Sequence, residues 1–126
     1  MNGIKYLLDT CFILEFHKQN ADVLAILQQK NIRFSECAIS VVNRLEVLGY
    51  ANISENDARN LTILLSKMTK LPINLPIENK VIDLRKQHKI KLPDAIVLAT
   101  ALSHDLELLS LDMGLINKYH KEIQAK

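Results

Sequence analysis

Four carboxylic acids stand where a chain of this pattern would gather them. They are Asp9 in Tyr6-Leu7-Leu8-Asp9-Thr10, Glu46 in Asn43-Arg44-Leu45-Glu46-Val47, Asp94 in Lys91-Leu92-Pro93-Asp94-Ala95 and Asp112 in Leu109-Ser110-Leu111-Asp112. Each follows or interrupts an apolar run. A carboxylate attached to a core-facing segment is costly unless something compensates it. Several carboxylates in one pocket repel one another and take up protons. A divalent cation resolves that conflict, because hard cations prefer oxygen ligands. Such a cation polarises a phosphoryl oxygen and lowers the pKa of a bound water, giving hydroxide near neutral pH. The chemistry these residue types serve is metal-dependent hydrolysis of a phosphodiester.

Acids so far apart in sequence need a scaffold to bring them together. Ile4 to Leu8 is a short apolar run and reads as a buried strand. Thr10 to Phe16 begins a helix, with Asp9 or Thr10 as its N-cap. Ala21 to Lys30 carries apolar residues at 23, 24, 26 and 27, a helical stripe. Cys37 to Ile39 reads as a second strand, and Ser40 caps a helix running to about Ala51. Ser54-Glu55-Asn56-Asp57 reads as a capping box for a helix ending near Lys70. Leu71 to Leu75 is an extended segment that Pro72 confines to a sheet edge or strand end. Pro76 starts a helix reaching about His88, and Pro93 opens another, strongly apolar from Ala95 to Leu102. Leu106 to Ser110 is a strand, and Gly114 to Tyr119 is a short segment before a polar tail.

Strands alternating with helices make this an α/β chain with a central parallel sheet of four to five short strands, flanked by helices on both faces. Ligands bind such sheets beyond the carboxyl ends of the strands. Asp9 lies just past the first strand and Asp112 just past the last. Asp94 sits in the first turn of the apolar helix, and Glu46 reaches sideways from about two turns into its own.

Each acid also has a plain structural role open to it. Asp9 caps a helix, Asp94 complements a helix dipole, Glu46 is solvated, and Asp112 is a turn residue before Gly114. What favours chemistry is that all four converge on the ligand-binding edge.

Composition narrows the field. A chain of 126 residues reads as one domain, residues 1–126, and 48% hydrophobic content supports a single core. Aromatics make up 5% with no Trp, so stacking platforms for bases are poorly supplied. A net charge of +2 does not by itself announce nucleic-acid binding. Cys11 and Cys37 lack metal-ligand spacing and read as buried thiols of a reduced, cytoplasmic protein, with a disulfide left open. Neither a secretory leader nor a membrane span is expected. The chain has no G-x-x-x-x-G-K-[ST], G-x-G-x-x-G or G-x-S-x-G, which disfavours nucleotide hydrolysis, dinucleotide binding and α/β-hydrolase chemistry. A phospho-receiver domain would need an acid after the third strand, and Leu71 to Leu75 carries none.

Across essentially its whole length the chain resembles the PIN-domain ribonucleases, above all the small toxins of VapBC toxin–antitoxin pairs. Leu7-Leu8-Asp9-Thr10 matches the family's strand-end Asp. Ile39-Ser40 with Glu46 matches its second motif. Lys91-Leu92-Pro93-Asp94-Ala95-Ile96 is the most specific match. The fourth motif, with Ser110 and Asp112, departs from the family where Met113-Gly114-Leu115 replaces a polar-aromatic stretch. The resemblance implies a three-layer PIN-like fold. It also implies an acidic core of Asp9, Glu46 and Asp94, completed by Asp112, holding Mg²⁺ or Mn²⁺ with Asp9, Asp94 and Asp112 as ligands.

Thr10 and Ser110 would orient a carboxylate or water, if they are not simply capping or strand-end residues. Arg44, Lys89 and Lys91 are the candidate RNA contacts. The implied reaction is attack of metal-activated water on an RNA phosphodiester, leaving a 3′-hydroxyl and a 5′-phosphate. The implied partners are a cognate antitoxin, a second copy of the chain in a homodimer, and no membrane. The competing reading is a PIN-like RNA- or protein-binding module whose site is idle.

Overall fold

The structure, a computed structural model, describes residues 3–125. Four strands, β1 (Tyr6–Leu8), β2 (Cys37–Ser40), β3 (Thr69–Leu71) and β4 (Glu107–Leu109), form one parallel sheet in the order β3-β2-β1-β4. Seven helices flank it: α1 (Thr10–His17), α2 (Ala21–Gln29), α3 (Val41–Gly49), α4 (Glu55–Ser66), α5 (Leu75–Gln87), α6 (Leu92–Ser103) and α7 (Met113–Gln124). The α/β class and the parallel sheet agree with the sequence pattern, with four strands among the described residues.

Strand alternation divides the core in two. Leu7, Ala38 and Leu108 face α5, α6 and α7. Their neighbours Leu8, Ile39 and Leu109 face the layer of α1 to α4. Each side chain is inverted relative to the next along the chain, so three-residue strands supply both layers. α6 carries the longest buried run, Ala95 and Val97 to Leu102. Thr100 is tolerated in that run because its hydroxyl donates to the Ile96 carbonyl at 2.7 Å.

Side chains at the helix starts explain where elements begin. Asp9, Asn20, Ser40, Ser54, Asn74 and Asp112 each accept a backbone N–H of the helix they precede. The Ser54 cap forms, but the Asp57 carboxylate pairs with His17 at 3.0 Å and ties α4 to α1.

Three expectations need correction. The helix after Ser54 stops at Ser66 rather than near Lys70, and the edge strand is Thr69–Leu71, before Pro72 rather than around it. Parallel pairing of Thr69 with Ala38 and Leu71 with Ser40 draws these residues out of the helix. The segment from Gly114 is no short piece before a tail. It is the helix α7, capped by Asp112, with Leu115, Ile116 and Tyr119 packed on the α5–α6 layer.

Candidate active site

β1 is central, with β2 on one side and β4 on the other. The chain's path therefore reverses direction across the sheet at β1, and the cleft beyond its carboxyl end is the ligand position of such sheets. Leu8 is in register with Leu109, so the next residues, Asp9 and Ser110, emerge side by side. The Ser110 hydroxyl donates to Asp9 Oδ2 at 2.8 Å, and Thr10 N–H donates to Asp9 Oδ1 at 2.8 Å. The Cys11 thiol donates to Asp9 Oδ2 at 3.4 Å and lies 3.6 Å from Ser110 Oγ. Three donors thus compensate the burial of Asp9, which is 6% exposed.

Glu46 is fixed by a relay. The Thr10 hydroxyl donates to Glu46 Oε1 at 2.7 Å and accepts Asn43 Nδ2 at 3.0 Å. Asn43 is fully buried, and its Oδ1 accepts the Ser40 N–H at 2.8 Å. Asp112 uses Oδ1 to cap α7 at Leu115 N–H, 3.1 Å away, and its own N–H donates to Ser110 at 3.0 Å. A Cβ at position 114 would lie 3.3 Å from that Oδ1, so Gly114 leaves the carboxylate room.

Asp94, in the first turn of α6, makes no hydrogen bond among the described residues. Burial raises its carboxyl above the ordinary range, and repulsion from Asp9, Asp112 and Glu46 adds to the rise while Lys91 opposes it.

One open cavity of about 280 Å³ is lined by Asp9, Thr10, Cys11, Leu14, Glu46, Asp94 and Asp112. All four acids singled out in the sequence meet there. As placed, no three His, Cys, Asp or Glu side chains among the described residues form a closed ligand group. The uncommitted oxygens are both of Asp94 and one each of Glu46 and Asp112. These three side chains reach solvent in part or in full and can turn toward a shared ion. An all-oxygen set of this kind suits a hard divalent cation.

The structure separates the basic candidates. Lys89 and Lys91 line a neighbouring cavity that shares Asp94 and Asp112. Arg44 lies apart, in a cleft with Ile39, Thr62 and Lys70. Two residues of the site were not singled out from sequence. Asn43 stands three residues after Ser40, the spacing of a capping box, which was the available signal. Cys11 is half-buried in the acid pocket, and no sequence pattern marks it. Both cysteines are free, and burial pushes the Cys37 thiol up to about 12.

The chain belongs to the PIN domain family, whose profile matches residues 6–121. Its fold is similar to that of a chain in a toxin–antitoxin complex from Klebsiella pneumoniae. That chain is 29% identical, with a TM-score of 0.73 over 84% of this chain and 85% of that one. FitAcB from Neisseria gonorrhoeae is similar at 24% identity and a TM-score of 0.74, covering 91% and 93% of the two chains. VapBC2 from Rickettsia felis matches at 16% identity and a TM-score of 0.73, covering 90% and 92%. No curated protein matches the chain. No helix among the described residues is long and apolar enough to cross a membrane.

Proposed function

We propose that this chain is a metal-dependent endoribonuclease toxin of the cytoplasm, restrained by a cognate antitoxin. The observation that carries this reading is the convergence of Asp9, Glu46, Asp94 and Asp112 on one cavity beyond the strand ends. Membership of a family whose members are typically nucleases, and that generally use divalent metals, supports it.

Asp9, Asp94 and Asp112 would hold Mg²⁺ or Mn²⁺. Bound there, such an ion supplies positive charge to the phosphoryl group and acidity to water. Ser110 holds Asp9 in place, and Thr10, braced by Asn43, holds Glu46. The second Glu46 oxygen is available to accept a proton from attacking water. No protein nucleophile competes for this role. His17 and His88 are paired with Asp57 and Glu122. Burial raises the Cys11 thiol, with the Asp9 charge acting the same way and the Ser110 hydrogen bond opposing it, so it is a weak nucleophile at neutral pH.

An antitoxin partner is supported by the toxin–antitoxin complex among the similar structures. Self-association is proposed through the helical faces of α3 and α4, which expose Leu45 at 60% and Ile63 at 51%. A monomeric mass for the purified chain would remove the dimer.

The test is incubation of total RNA with the purified chain, in Mg²⁺ or Mn²⁺ and in chelator, beside Asp94→Asn. Discrete fragments requiring both metal and Asp94 are expected. Cleavage that persists in Asp94→Asn refutes the site. A folded, partner-free chain that cuts nothing would leave the pocket a binding role only.

A further inference from the structure

Beside the acid pocket lies a second cavity of about 220 Å³, lined in part by Lys89, Lys91, Asp94, Asp112 and Lys118. Asp94 and Asp112 line both cavities, so the two share a wall. Lys5, Lys18, Lys30 and Lys80 each make an ion pair. Lys89, Lys91 and Lys118 make none among the described residues. Three ammonium groups, none of them in an ion pair, outnumber the two carboxylates of Asp94 and Asp112 around this small cavity, and an anion placed between them relieves their mutual repulsion.

The walls of this cavity are held together rather than left loose. Lys89 and Lys91 precede α6, and Lys118 projects from α7. Glu122, one turn along α7 from Lys118, meets His88 Nε2 at 2.9 Å and Lys80 Nζ at 3.3 Å. That carboxylate fastens α7 to the end of α5, next to the two lysines. The surroundings of the acid pocket are asymmetric. On its Lys-bearing side lie three cations, while its remaining lining of Asp9, Thr10, Cys11, Leu14 and Glu46 carries no basic side chain.

The geometry points to a phosphate subsite, in which Lys118, with Lys89 and Lys91, receives the RNA backbone phosphate next to the scissile one. This rests on the nuclease reading of the acid pocket and extends it. A strand whose scissile phosphate sits among the acids places its next phosphate over the shared wall. Because the lysines lie on one side only, they also set the direction in which the strand crosses the site. Neutralising a phosphate releases condensed counterions, so each lysine that does so steepens the salt dependence of binding.

The experiment measures binding of a fluorescein-labelled, mixed-sequence single-stranded RNA to the full chain carrying Asp94→Asn, in chelator, across a salt series. Adding Lys118→Ala is expected to reduce the slope of log K against log salt by roughly 0.7, and removing all three lysines by about 2. Lys118→Arg should restore the slope. Lys70→Ala, the same charge change in the cleft beside Arg44, should leave it unaltered. Equal losses for Lys118→Ala and Lys70→Ala, or no loss for Lys118→Ala, overturns the subsite. Metal-dependent cleavage by the wild-type chain is followed in parallel. If it persists while the slope is unmoved, only the subsite falls. If the wild-type chain neither cuts nor binds RNA, the nuclease reading falls with it.

Discussion

Replacing Asn43 by Asp separates positioning of Glu46 from stability of the fold. Asn43 Oδ1 accepts the Ser40 N–H at 2.8 Å, and Asp retains that acceptor. Asn43 Nδ2 donates to Thr10 Oγ1 at 3.0 Å, and an ionised Asp has no hydrogen to give. The single Thr10 hydroxyl proton, now donated to Glu46 Oε1 across an O···O distance of 2.7 Å, would then be shared between two carboxylates. Hydrogen bonds to charged groups contribute about 1.5–3 kcal/mol, and partial exposure of this one puts its loss near the lower figure. A loss of about 1.4 kcal/mol from the transition state is roughly tenfold in rate.

Asn43→Ala differs, because it also strands the buried Ser40 N–H, and should cost about 2–3 kcal/mol of stability. In Asn43→Asp, burial and the nearby Glu46 raise the pKa of the introduced carboxyl. On protonation it regains a donor, so the rate defect of this variant should shrink as pH falls. The assay is kcat/KM on an RNA cut by the wild-type chain, measured against pH beside urea unfolding. A folded Asn43→Asp variant with wild-type kcat/KM throughout would refute the relay. So would full activity in Thr10→Val, which keeps the shape and removes the hydroxyl.

Three further outcomes follow from named contacts. The raised Asp94 carboxyl contributes stability that is present below the ordinary carboxylate range and lost as pH rises past it. Asp94→Asn should therefore melt higher than wild type at neutral pH in chelator, and gain less from added Mg²⁺ or Mn²⁺; equal metal-induced shifts in scanning fluorimetry would exclude Asp94 as a ligand. Glu122 is lowered by His88 and then Lys80, so its contribution is present above the ordinary carboxylate range and lost as pH falls through its lowered value. Glu122→Gln should cost on the order of 1–2 kcal/mol at neutral pH and little at strongly acidic pH, and a cost independent of pH in urea melts would contradict the pairing. Cys11 should alkylate slowly at neutral pH and Cys37 more slowly still, as read by mass spectrometry, while Cys11→Ser keeps RNA cleavage; loss of cleavage in that variant would show that the thiol takes part in the reaction.

What was legible from sequence tracks how local the physics is. β1, β2 and β4 are apolar runs next to residues that cap helices, and both signals lie within a few positions. β3 has no such run. Two of its three residues are exposed, and what makes it a strand is pairing with β2, about thirty residues away. α7 hid for a related reason. Only Leu115 is fully buried along it, so Gly114 to Tyr119 reads as a short segment and Lys121 and Glu122 as a polar tail until packing on the α5–α6 layer supplies the apolar face.

The same division runs through the site. Each acid announces itself because a carboxylate beside an apolar run is locally expensive. The groups that hold the acids are visible only across distance. Thr10 meets Glu46 over a separation of 36 residues, and Ser110 meets Asp9 over 101. Asn43 drew no attention because its acceptor satisfies a neighbouring cap while its donor reaches α1. Asp94 stands apart from the other three in lacking any such restraint, and burial, with repulsion from its acidic neighbours, pushes its carboxyl upward. A carboxylate that is crowded by negative charge and unsupported by donors gains most when a cation arrives. That physical contrast makes Asp94 the residue through which metal binding should be felt most strongly.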